Sequence, residues 1–170
     1  MVKALTVKQP WASLIVAGIK TIETRPWQTA HRGPLAIHAG REHYVGAWSR
    51  PLWQATDRVS RHHGVTGYPD RWPSGAIVGT VELVDVLPIT GPNEAGHLRF
   101  VCPDVYGGLT RYTFPPDGPA LVEEDVNDQR KLGDFSEGRY AWLLGDAEAF
   151  DAPVPERGRQ GLWEWDGSRF

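Results

Sequence analysis

Cysteine is almost missing from this chain: Cys102 stands alone among 170 residues. An internal disulfide is thereby excluded, as is a zinc site built on a cysteine cluster, and a reducing, cytoplasmic setting is the expectation. The six histidines do not fill the gap, because no two of them are spaced i, i+4 as a helix-borne metal pair requires. A phosphate-cradling glycine loop and a Gly-x-Ser-x-Gly nucleophile elbow are also missing. No apolar run approaches the roughly 20 residues that span a bilayer, and the start of the chain does not resemble a signal peptide. A membrane partner is therefore not expected, nor is a metal or other cofactor. The acidic run "VEEDVND" reads as a solvated loop, since magnesium sites normally borrow substrate phosphates.

A basic excess is lacking too, the formal net charge being −3. Proteins that coat long duplex usually carry such an excess. Any nucleic-acid contact should therefore be confined to a cleft, with about two to four phosphates neutralised and a shallow salt dependence. Lysine is scarce, at four of the 18 basic residues, the other 14 being arginine. Arginine suits planar, bidentate recognition, but a GC-rich genome gives the same bias.

What is present reads as alternating short strands and helices. "ALTVK" alternates as a strand. Pro10 suits the first position of a helix and Gly18 the position just past its end. Between them Trp11, Leu14, Ile15 and Gly18 follow the i, i+3, i+4, i+7 spacing of a buried stripe, so Trp11 reads as core. "TIETR" and "PLAIHAG" read as strands, and a second helix is expected from about Pro51 to His63. "GAIVGTVELVDVLPI" carries apolar residues on both faces and should be central, with a bulge or corner at Gly79. From about 90 to 138 an irregular excursion is expected, after which "RYAWLL" resumes strand character and "PVPERGRQGLWEW" ends the chain. This pattern predicts one α+β domain over 1–170, a small barrel with inserted helices.

The densest polar cluster sits between the first helix and the third strand. Strand parity puts Thr21, Glu23 and Arg25 on one face and Ile22 on the other, while Lys20 lies in the junction where parity is silent. An edge strand protected by charge would look the same. The residue types nevertheless suit a nucleotide: Arg25 and Lys20 for phosphate, Glu23 for a base amino group, Trp27 for stacking. Gln9 either caps the helix or reaches the cleft, and His38 is either a satisfied core histidine or a cleft residue. Arg157 and Arg159, flanking Gly158 in a terminal turn, read most simply as solvated.

The segments "LTVKQPWASLIVAGIKTIETRPW", "HRG" and "IHAG" together resemble the ASCH domain family, a branch of the PUA-like barrels. The family pattern is carried by Gly18, Lys20, Glu23 and Arg25, and the similarity extends through "YPDRWPSGAIVGTVELVDVL" to the terminal segment. The resemblance implies a compact PUA-like barrel of five or six strands with a cleft beside the first helix, holding Lys20, Glu23 and Arg25, with Gln9, Trp27, Arg32 and His38 around it. It also implies a role with RNA, another single-stranded nucleic acid or a nucleotide. DNA and protein partners stay open. Some members are hydrolases, so the alternative is a ribonuclease or nucleoside hydrolase using Lys20 and Glu23. Relatives that deacetylate acetylcytidine use a lysine and a threonine three positions later; here that position is Glu23, and the nucleophile is missing.

Overall fold

The computed structural model describes residues 1–44, 46, 49–62, 72–92, 98–100, 129 and 131–167. Its elements in chain order are β1 (Val2–Gln9), α1 (Trp11–Val16), β2 (Ile22–Arg25), β3 (Gly33–His43), α2 (Arg50–His62), β4 (Ala76–Pro92), β5 (Leu98–Phe100), β6 (Tyr140–Pro155) and β7 (Leu162–Trp165). The class is α+β, as expected. The strands form one mixed sheet in the order β2-β6-β4-β3-β1-β7, with β5 added to β4. The ladder is open, with β2 and β7 at its ends, where the expectation was a closed barrel. Cys102, the "VEEDVND" run and most of the expected excursion lie outside the described residues. Three described stretches within that excursion are parts of the fold: β4 continues to Pro92, β5 pairs with it, and Leu132 and Phe135 are buried.

β4 is central, as its two apolar faces predict, with β3 on one side and β6 on the other. The register of both ladders slips beside Gly79, so the expected bulge is there. A side chain at Gly79 would meet the Glu148 carbonyl oxygen at 2.2 Å and Val16 Cγ1 at 2.8 Å. Glycine thus lets β6 and α1 close onto β4 at one point. The main core lies beneath, built from Leu5, Val7, Leu35, Ile37, Val81, Leu83 and Trp142 around Ala12, Ile15 and Val16 of α1.

α1 has six residues, too short to be stable alone, so packing and caps hold it. Pro10 occupies the N-cap rather than the first helical position, and the Gln9–Pro10 peptide is cis. The end is a Schellman motif: Gly18 N–H donates to the Ile15 carbonyl at 2.9 Å and Ile19 N–H to the Leu14 carbonyl at 3.0 Å. Gly18 has φ +70°, the left-handed conformation that this motif needs. The cap turns the chain sharply into β2, which pairs antiparallel with β6 from Ile22↔Leu143 to Arg25↔Tyr140.

Because the Gly79 contact is with backbone on β6, nothing can swing aside for a methyl group. Gly79→Ala should cost about 3 kcal/mol, read as a lowered denaturant midpoint at unchanged slope. An unchanged midpoint would show that β6 is free to move away.

Candidate functional site

The polar cluster converges. Glu23 Oε2 lies 3.4 Å from Lys20 Nζ and Glu23 Oε1 lies 3.2 Å from Arg25 Nε, so one carboxylate serves two cations. Strand parity holds: Ile22 and Thr24 are buried while Glu23 and Arg25 are partly exposed. Lys20 is different from what its charge suggests, being 1% exposed. Its ammonium donates to the Ile22 carbonyl at 2.5 Å, and the chain at Gly133 lies against it. Gln129 seals the same junction, donating to the Ile19 carbonyl and accepting from the Thr21 and Ile22 N–H groups. Burial pulls the Lys20 ammonium below the ordinary lysine value; Glu23 opposes this, and Arg25 adds to it.

Arg25 Nη2 donates to the Thr6 carbonyl of β1 at 3.0 Å. β1 and β2 are not ladder neighbours, so this side chain spans the open side of the sheet. Beside that bridge runs a groove of about 1340 Å³, lined by Glu23, Arg25 and Trp27 near β2, by Lys8, His38 and Arg41 on β1 and β3, and by Glu156, Arg157 and Arg159 after β6. Trp11 and Arg139 also reach it. In all, six basic and three acidic side chains line the groove, a local positive excess inside a chain of net charge −3. Of the five buried side-chain nitrogens without a hydrogen-bond partner among the described residues, four belong to groove-lining residues: Trp11 Nε1, Arg25 Nε, His38 Nδ1 and Arg139 Nε. Such atoms are uncommon in folded proteins because each costs about 1–3 kcal/mol.

The expected site residues thus divide. Glu23, Arg25, Trp27 and His38 line one groove, and Lys20 touches Glu23 from behind its wall. Gln9 and Arg32 are elsewhere. Gln9 is fully buried and caps α1, accepting from Ser13 N–H at 3.2 Å and donating to Ser13 Oγ and the Pro73 carbonyl, both at 2.8 Å. Arg32 pairs with Asp85 at 2.6 Å on the outer surface. Trp11, read as core, is half-buried: it packs edge-on against Tyr44 at 4.7 Å and lines the groove as well. Trp27 stands edge-on to Trp142, also at 4.7 Å. Lys8, Arg41, Arg139, Arg157 and Arg159 were not anticipated. The one sequence signal was the Arg-Gly-Arg run at 157–159, where a glycine permits close approach of the backbone to the sheet.

His38 is 2% exposed, with Nε2 3.0 Å from the Glu156 carbonyl. A carbonyl only accepts, so Nε2 carries the proton and the neutral ring presents a bare Nδ1. Burial pulls the imidazole below its ordinary value of 6.5, and the contacts with Glu156 oppose this.

The ASCH domain family matches residues 5–100, more than half of the chain, and the chain belongs to that family. β6 and β7, beyond the matched segment, belong to the same sheet. Activating signal cointegrator 1 from human is 46% identical over 83 residues, covering 49% of this chain and 14% of that protein. The mouse protein of the same name is 45% identical over the same length and shares. The chain therefore matches about a seventh of the length of these relatives. The crystal structure of ASCH from Zymomonas mobilis aligns over 98% of this chain and 89% of that one, at 17% identity and a TM-score of 0.45. A point mutant of the Zymomonas mobilis protein aligns with a TM-score of 0.44 at 16% identity, over 97% and 90% of the two chains.

Two stability tests follow from this geometry. Glu23→Gln leaves the buried Lys20 ammonium beside Arg25 without a counter-charge, and should cost about 3 kcal/mol by denaturant titration. A loss within error would mean that Lys20 is folded neutral or has another counter-ion. The folded-state value of His38 is depressed, so the unfolded chain binds its proton more readily. The stability His38 contributes is full above pH 6.5 and is lost as pH falls below it. The melting temperature should drop on acidification through that range, and His38→Gln should flatten the drop; equal slopes would remove His38 as the cause.

Proposed function

We propose that this chain is a nucleic-acid-binding module that takes RNA, or another single-stranded nucleic acid or its nucleotides, in the groove beside Arg25. The observation that carries the reading is the reversal of charge: the groove is basic although the chain as a whole is acidic. A local positive excess along a low-dielectric wall concentrates anions there, whereas a uniformly basic surface would bind any duplex. The same groove offers donors and ring surface. Arg25 supports a phosphate, Glu23 an exocyclic amino group, and the partly exposed Trp27 a stacked base. Membership of the ASCH family agrees with this reading, and the similarity to a protein named as a signal cointegrator leaves protein partners open beside it.

The hydrolase alternative has less support. Both oxygens of Glu23 are engaged by cations, and the Lys20 ammonium lies behind the groove wall rather than in it. From there Lys20 does not reach a leaving group held in the groove, the role that a hydrolase built on Lys20 and Glu23 would give it.

Fluorescent single-stranded RNA, single-stranded DNA and duplex DNA, titrated at several salt concentrations, test the proposal. Single strands should bind best, and Arg25→Ala should lose about tenfold or more in affinity, the scale of one charge-assisted contact. Arg32→Ala removes the same charge outside the groove and should bind like the parent protein. Equal losses in the two variants, or a preference for long duplex, would overturn the groove as the site.

A further inference from the structure

We infer that the Glu156–Gly161 segment is a second, phosphate-binding wall of the groove, so that the ligand is a single-stranded oligonucleotide with several phosphates rather than a mononucleotide. The inference rests on the nucleic-acid reading above and specifies its ligand.

The segment joins β6 to β7, and the sheet holds it by its backbone. His38 Nε2 donates to the Glu156 carbonyl at 3.0 Å, and Glu156 N–H donates to the Gly75 carbonyl at 3.0 Å. Thr6 Oγ1 donates to the Arg159 carbonyl at 2.9 Å and accepts from Trp163 Nε1 at 3.3 Å. Between these anchors Gly158 lies flat on the imidazole, where an added Cβ would come within 2.4 Å of His38 Cε1. With the backbone pinned this closely the side chains of Arg157, Arg159 and Gln160 project from it; all three are exposed and line the groove, and the two arginines carry its charge. Arg159 is steadied over the Trp163 ring, 5.6 Å from its centroid.

These cations have little else to bind. Among the described residues Arg41, Arg157 and Arg159 have no carboxylate partner. Lys8 has only Glu42, at 2.8 Å in a pair that is mostly exposed and weak. A mononucleotide bound at Arg25 and Trp27 would leave all four unused. The groove, at about 1340 Å³, also exceeds the about 300–1,000 Å³ typical of sites for one small molecule. Cations spread over β1, β3 and this segment fit successive phosphates of one strand. A pinned backbone also lowers the ordering cost when those contacts form.

The test compares an octanucleotide with a 5′-mononucleotide, each titrated at several salt concentrations against the parent protein and the double variant Arg157→Ala/Arg159→Ala. The parent should prefer the octanucleotide. In the double variant its affinity should fall about tenfold or more, and the log-log salt slope should shrink by about 1.4, the value for two lost phosphate contacts on a single strand. Mononucleotide binding should not change. The backbone anchors do not use either guanidinium, so the fold should survive; Arg157→Ala alone, which leaves the Trp163 contact intact, should halve the slope change. An octanucleotide that binds both proteins with equal affinity and slope overturns this wall while leaving Arg25 as the site. A parent protein that binds the mononucleotide as tightly as the octanucleotide also overturns it. No binding of either probe defeats this inference and the nucleic-acid reading together.

Discussion

One carboxylate, Glu23, holds together the part of the molecule that matters most. It faces a lysine that is 1% exposed on one side and an arginine on the other. Neither cation is easily tolerated there without it: a buried ammonium needs a counter-charge, and Arg25 needs its position fixed to reach the Thr6 carbonyl. β2 is only four residues long and stands at the end of the ladder, bonded by backbone to β6 alone. The Arg25 bridge to β1 therefore draws the free edge of β2 across the sheet, and the space beside that bridge is the groove. Fold and site share an anchor, which is why a substitution in the triplet will move stability as well as binding.

The same arrangement explains how an acidic chain can present a basic groove. Lys3 pairs with Glu164 and Arg32 with Asp85, so cations away from the groove have acidic partners at hand. Arg41, Arg157 and Arg159 have none among the described residues. The local excess comes from gathering six basic side chains against three acidic ones along the groove rather than from adding cations to the whole. An anion is then attracted over a short range, within about one Debye length of roughly 10 Å at moderate salt.

Much of this fold was legible in the sequence, because it depends on local signals. The Gly18 stop, the parity of Glu23 and Arg25, the Gly79 bulge and the central position of β4 all follow from periodicity and from glycine's tolerance of close approach. The errors lie where tertiary contacts decide. Gln9 precedes Pro10 at the helix entry, so capping is one of its two readings, but nothing local shows that its amide also ties down Pro73, 64 positions away. Lys20 looked available because lysine usually is; its burial depends on Gln129, more than a hundred residues later. The expected barrel followed from strand count and family resemblance, whereas closure depends on whether the two end strands form a ladder. Here β2 and β7 do not pair, and the Arg25 side chain links β2 to β1 instead.

The groove's wall also carries a cost that the rest of the protein avoids. The Gln9 amide is satisfied by protein partners on both its atoms, and Thr56 Oγ1 is bonded to two carbonyls of α2. By contrast Trp11 Nε1, His38 Nδ1 and Arg139 Nε are buried without a hydrogen-bond partner among the described residues, Arg25 Nε has only its ion pair with Glu23 at 3.2 Å, and all four belong to residues that line one groove. Random packing faults would scatter such atoms over the molecule. Their concentration means that stability has been given up at one place, and three of the four are N–H donors, the complement of an oxygen-rich anion. The fourth, His38 Nδ1, is bare because Nε2 is committed to the Glu156 carbonyl. Its role is to hold the arginine-bearing segment in place, and the unsatisfied nitrogen is the consequence of that anchor.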